Sequence, residues 1–250
     1  KLWSGITWKK NHRVLVLAPS SLLWSLKPLR EASEGGVVLA VSEDNHPKLL
    51  AELEVLAPME RPVLIDSTVE SIKKLEENLK FEVVGGRIPW KVFSETNFFE
   101  LWPILTEKCV VNSELCLIIS NPCSGPALSL KESLEVYSNK KGTDFSLLSD
   151  LISKEKKWLN KQDQKKKFIL QLEKLGWSIS FEEWTEFVYQ KVDSTIIKRW
   201  FNQGSKYREI ILNDCEEETL TLLQELFSRL NGRTIKQKLL HTKLLAKKNN

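Results

Sequence analysis

Short apolar runs alternate with segments whose leucines recur at helical spacing through the first half of the chain. Val14 to Leu17 is such a run; it stops at Ala18-Pro19-Ser20-Ser21 and gives way to Leu22, Leu23, Leu26 and Leu29. The pattern predicts a strand, a tight turn and a helix. It repeats with a strand in Val37 to Glu43 after Gly35-Gly36, and a helix over His46 to Ala57 with Pro47 in its first turn and Pro58 at its end. Proline is tolerated in a first turn and stops a helix interior. A third strand ends on Asp66, followed by a charged amphipathic helix from Val69 to Leu79. A fourth, Phe81 to Val84, closes on Gly85-Gly86, and a fifth, Leu115 to Ser120, follows a helix over Ser94 to Lys108. Apolar strands alternating with helices predict a doubly wound α/β fold, a mostly parallel sheet covered on both faces.

The second half is more varied. Asn121 to Thr143, rich in Pro, Gly, Ser and Asn, reads as a long loop. Asp144 to Lys167 reads as a lysine-rich helix, continued by Phe168 to Leu175 and stopped at Gly176. The alternation in Trp177 to Tyr189 predicts a sixth strand, and Asp193 to Phe201 and Asp214 to Leu230 read as helices. The tail from Arg233 suits either a helix, by its leucine spacing, or a last strand that completes the sheet. The expected organisation is one domain over 1–250: a cofactor-binding type of half over 1–122, a lysine-rich helical connector over 123–175, and C-terminal strands and helices over 176–250.

Composition narrows the class. With 250 residues, 42% of them hydrophobic, the chain can bury a sizeable core. A net charge of +4 permits contact with nucleic acid without demanding it. Cys109, Cys116, Cys123 and Cys215 show no zinc spacing, and the three histidines have no metal-motif neighbours, so no metal is expected. No apolar run approaches the ~18 residues of a membrane span, so a cytoplasmic protein without membrane contact is expected. A chain opening on Lys1 without methionine is expected to be part of something longer.

Several local words carry a resemblance: LVLAPSS at the first turn, AVSED after the second strand, LIDS after the third, FEVVGGRIPW at the fourth, and KLGWSISFEEW entering the sixth. With the order of elements, they make the chain resemble the class I S-adenosylmethionine-dependent methyltransferases, whose seven-stranded Rossmann-like sheet is then the expected fold. FEVVGGRIPW, IIKRWF and NGRTIKQKLLHTKLLAKK extend the resemblance to the methyltransferase-like C-terminal region of cyanobacterial RarA/MgsA-type AAA+ ATPases of replication and recombination. The ATPase itself would lie outside this chain, which has no G-x-x-x-x-G-K-[ST] phosphate loop.

The resemblance implies a cofactor set of Ala18, Ser20 and Ser21 at the first turn, Glu43 or Asp44 at the ribose with Ser42 competing for that place, Asp66 near the adenine, and Gly85 after the fourth strand. Active family members carry an acid and glycines at the first turn; glycine admits positive φ and lets the backbone approach a ligand. Here Ala-Pro-Ser-Ser stands in their place. The competing readings are a helix cap for the two serines and a cap for Asp66. The expectation is a methyltransferase-like module without catalysis, its S-adenosylmethionine site lost, acting in interaction or regulation beside an AAA+ ATPase. An active methyltransferase is the first alternative. A nucleic-acid-binding module is the second, with DNA as partner and Lys157, Lys161, Lys165, Arg233 and Lys236 as candidate contacts, because lysine and arginine make most phosphate contacts.

Overall fold

The computed structural model describes residues 1–89, 96–135, 143–160 and 162–249. In chain order it contains β1 (Val14–Leu17), α1 (Leu26–Glu31), β2 (Val37–Val41), α2 (His46–Leu53), β3 (Val63–Asp66), α3 (Val69–Lys73), β4 (Phe81–Pro89), α4 (Thr96–Glu107) and β5 (Cys109–Pro122). There follow α5 (Pro126–Glu135), α6 (Thr143–Leu159), α7 (Gln162–Lys174), β6 (Trp177–Lys191), α8 (Ser194–Phe201), α9 (Lys206–Ile211), α10 (Glu217–Ser228) and β7 (Thr234–Lys248). Short 3-10 helices precede α1 and α2 and lie before β3. The seven strands form one sheet in the order β3-β2-β1-β4-β5-β7-β6. The pairs β1–β2, β1–β4, β2–β3 and β4–β5 are parallel. Strand β7 runs against β6: the Asn249 N–H donates to Gly176 O and the Val192 N–H to Arg233 O, each at 2.8 Å. The expected doubly wound, mostly parallel sheet is therefore the observed one. Among the described residues, no helix is long and apolar enough to cross a membrane.

The chain divides into two compact units, one formed by 1–120, 163–184 and 241–250, the other by 121–162 and 185–240. In the first, β1 is buried along its whole length, so successive side chains must be covered on opposite faces of the sheet. Leu15 and Leu17 point to a layer containing Ile72 of α3, Trp102 of α4 and Phe168 of α7. There the Phe168 ring lies 5.0 Å from Trp102 and 5.2 Å from Phe98, spacings at which aromatic pairs attract. Val14 and Val16 face the other layer, built from Leu49 and Leu53 of α2, Leu22, and the N-terminal residues Leu2 and Trp3.

The second unit is a helical cluster around Leu151, Phe201, Tyr207 and Phe227, with the Phe201 and Phe227 rings 5.3 Å apart. A carboxylate lies inside it. Glu155 of α6 is 1% exposed, and its Oε1 accepts from the Ala127 N–H at 2.8 Å and the Tyr207 hydroxyl at 2.6 Å. Ala127 belongs to the first turn of α5, so Glu155 caps that helix from another element. A Cβ on Gly125 would fall 2.2 Å from the Glu155 carboxyl carbon. A side chain there would have to displace the carboxyl that accepts from Ala127.

Several expected boundaries change. The loop expected over Asn121 to Thr143 contains the end of β5 and helix α5; the donor that starts α5 is satisfied by Glu155, a partner no local pattern displays. The lysine-rich helix is two helices, α6 and α7. The helix expected over Val69 to Leu79 stops at Lys73, α9 was not anticipated, and the tail is a strand.

Burial pushes the Glu155 carboxyl above the usual carboxylate range, against the hydrogen bonds from Tyr207, Ala127 and Leu128. The folded state therefore holds a proton that the unfolded chain releases, and this contribution to stability is lost as pH rises from the unfolded pKa through the raised one. As pH rises above the unfolded carboxylate value of about 4, the thermal midpoint should fall more steeply in the wild type than in Glu155→Gln, as followed by circular dichroism.

Candidate functional site

In open α/β sheets, ligands bind outside the carboxyl ends of the strands where the strand order reverses. Here that place lies between β1 and β4, since β1 continues to β2 on one side and β4 to β5 on the other. The carboxyl ends bring together Ala18 to Ser21 after β1, Ser42 to Asp44 after β2, Asp66 ending β3, and Arg87 near the end of β4.

At the first turn, Ala18 donates its N–H to Ala40 O at 2.9 Å and adopts φ +47°. Alanine thus holds the left-handed conformation that glycine would hold without strain. Ser21 caps the following 3-10 helix, its Oγ accepting from the Leu23 N–H at 3.3 Å. The cap reading holds for this serine. Ser20 is exposed, and its carbonyl accepts from Lys48 Nζ at 2.7 Å.

A residue that sequence reasoning missed completes the turn. Glu52 of α2 places Oε2 2.6 Å from the Leu22 nitrogen, accepting its N–H, and 3.2 Å from Ser21 Oγ. Lys48, one helical turn earlier, lies 3.6 Å from the same carboxylate. The Leu22 N–H, with smaller contributions from Ser21 and Lys48, holds the Glu52 carboxyl below the usual carboxylate range. The Lys48/Glu52 spacing on α2 was the only available signal, and it reads equally as a surface ion pair.

Glu43 and Asp44 are both exposed in the 3-10 helix Glu43–Asn45, while Ser42 accepts at Oγ from Asn45 Nδ2 at 3.0 Å. Asp66 is exposed beside Val41. It caps nothing: Thr68 does so, accepting from the Ser71 N–H at 3.1 Å. Gly85 lies inside β4, opposite Val16 and Cys116. A Cβ there would stand 2.4 Å from the Trp3 ring and 2.9 Å from Cys116 O, so the space over this glycine belongs to an indole of the same chain.

A row of polar and aromatic groups crosses the sheet from the strand reversal. The Arg87 guanidinium lies 5.7 Å from the centre of the Trp24 ring and donates through Nε to Ser120 Oγ at 3.1 Å. Ser120 Oγ is 2.9 Å from His241 Nδ1, and His241, 2% exposed, stacks on Trp184 at 5.2 Å. Burial holds Cys116 up to about 11, which keeps it a thiol at neutral pH and a poor nucleophile.

Three exposed acids, Glu43, Asp44 and Asp66, thus stand at the strand ends where the resemblance puts contacts to the nucleoside of S-adenosylmethionine. The first turn does not match in the same way: its Leu22 N–H already donates to Glu52, and Ser20 and Ser21 carry side chains where glycines would leave room. The residues present do not fit the methionyl end of the cofactor at this turn.

Of the candidate nucleic-acid contacts, Lys157 and Lys236 are exposed and Arg233 half-buried, all three in the second unit. Lys165 lies in the first, paired with Glu183, its ammonium 5.0 Å from the Phe181 ring. Lys161 falls outside the described residues. In the basic tail, Lys243 donates to Ser4 O at 2.7 Å and Lys248 to Cys109 O at 2.7 Å; both ammonium groups hold the fold together.

The seven-stranded order with a reversed β7 defines a Rossmann-like methyltransferase fold. Among solved structures, the chain is similar to the YcgJ protein of Bacillus subtilis, with a TM-score of 0.56 at 11% identity over 97% of this chain and 94% of that one. It is also similar to a candidate methyltransferase from Bacillus halodurans, with a TM-score of 0.51 at 12% identity over 98% of this chain and 95% of the other. At such identities the likeness is one of fold. No family model and no curated protein matches the sequence.

Two substitutions check the local geometry. Ala18→Gly should stabilise the chain by about 0.5–1 kcal/mol in urea unfolding, because relief of the left-handed strain exceeds the added freedom of the unfolded chain. Gly85→Ala should destabilise it by about 1–3 kcal/mol, the cost of overpacking against Trp3.

Proposed function

We propose that this chain is a methyltransferase-fold module that does not transfer methyl groups and serves instead as an interaction or regulatory domain. The observation that carries this reading is the Glu52 carboxylate on the Leu22 N–H at 2.6 Å. A backbone donor at the first turn of a doubly wound sheet serves anionic ligand groups well, and here an acid of the same chain takes it. The left-handed Ala18 and the Trp3 ring over Gly85 support the same reading. The partner we propose is an AAA+ ATPase of replication and recombination. This rests on the words FEVVGGRIPW, IIKRWF and NGRTIKQKLLHTKLLAKK. Cytoplasmic residence follows from that partner.

The test is a titration of the purified chain with S-adenosylmethionine and S-adenosylhomocysteine, followed by calorimetry and by quenching of Trp24, the indole beside the first turn. The expected result is no saturable signal up to millimolar cofactor. Binding in the micromolar range, about −8 kcal/mol, would make Ala-Pro-Ser-Ser a working turn and favour an active methyltransferase.

A further inference from the structure

The second unit carries an exposed sheet surface unrelated to the strand reversal. In its part of β6, Phe187 and Tyr189 are 50% and 67% exposed, far more than side chains of that size need to be in a sheet (compare the fully buried Phe227 of the same unit). Residues two apart on a strand share a face, so the two rings stand side by side, with Lys191 next along. On β7, Lys236 lies with its ammonium 3.9 Å from the centre of the Phe187 ring, which fixes it to the same face. Lys238, two residues on and also exposed, belongs there too.

Within the second unit the charge on this face has one sign; in the first unit the same face of β6 carries Glu183, which is paired with Lys165. The alternate positions of β6 and β7 that share it with Phe187 within the unit hold threonine, leucine, the two aromatics and three lysines, and no acid; Glu186 belongs to the opposite face. Two exposed rings set among lysines on an open strand pair are the elements of a stacking platform. Unpaired bases lie on the rings and phosphates meet the ammonium groups. A lysine already over one ring adds cation–π attraction to a stacked base.

We propose that the face formed by Phe187, Tyr189, Lys191, Lys236 and Lys238 binds single-stranded nucleic acid, with the aromatic rings stacking bases and the lysines contacting phosphates. The ligand is held by its π faces and backbone, so the site tolerates sequence and discriminates against duplex, whose bases are already stacked. The site is independent of the first turn and of whether a cofactor binds there.

Fluorescence anisotropy of the whole chain with a labelled twenty-nucleotide oligo-dT, and with a duplex of about equal length, tests this. The expected result is micromolar binding of the single strand at about 50 mM salt and at least tenfold weaker binding by Phe187→Ala/Tyr189→Ala at every salt concentration. Lys236→Gln/Lys238→Gln should flatten the plot of log affinity against log salt by about 1.4, the release expected for two phosphate contacts on a single strand. Both variants change exposed side chains, and an unaltered thermal midpoint confirms that they fold. Equal binding of duplex, binding untouched by loss of the two rings, or no binding at low salt would overturn the proposal. So would equal displacement of the oligonucleotide by poly-glutamate, or a dimer that sediments as such in the wild type and dissociates when the rings are removed.

Discussion

Strand β1 lies out of reach of water on both faces and is hydrogen-bonded on both edges, and the first unit is organised to keep it there. Its backbone is satisfied only by parallel partners, β2 on one side and β4 on the other. Its side chains demand two separate coverings. Helices α3, α4 and α7 provide one, with Phe98, Trp102 and Phe168 as its densest part. The other is completed by the N-terminal segment, which is not helical at all. Trp3 lies over Gly85 and donates through Nε1 to Trp24 O at 2.8 Å, the Thr7 N–H reaches Glu114 at 2.8 Å, and the buried Lys243 ammonium holds Ser4. Burying that ammonium carries a desolvation cost, offset by its bonds to Ser4 and by the nearby Glu182 carboxylate at 4.0 Å.

The same constraint governs what the chain can present at the strand reversal. A carboxyl-end crevice needs open backbone and space above the strands. Here the indole that seals β4 and the carboxylate that closes the first turn both belong to the packing around β1. Arg87 reaches across to Trp24 and Ser120, so its guanidinium too is engaged within the chain, while Glu43, Asp44 and Asp66 stay exposed at the strand ends.

The fold was legible in the sequence because both of its signals are local. Val14 to Leu17 and Leu115 to Ser120 read as strands buried on two sides, and that is where they lie. The misplaced elements depend on distant partners. Helix α5 starts under a carboxylate supplied by Glu155, and α3 is shorter than its apolar spacing suggests. The tail became a strand because β5 and β6 offer it edges, which leucine spacing cannot report. At the site, the absent glycines and the capping serine were legible. Glu52 and Trp3 were not, since each acts on a turn or strand remote in sequence through a side chain whose type fits an ordinary surface or core role.

The left-handed Ala18 has an evolutionary corollary. A glycine at this position is one residue change away and relieves strain, yet it leaves the carboxylate on Leu22 and the indole over Gly85 where they are. Removing the carboxylate alone strands a backbone donor, and removing the indole alone uncovers Cys116 and the neck of β4. Each step toward an open crevice is therefore costly or idle until the others have been taken.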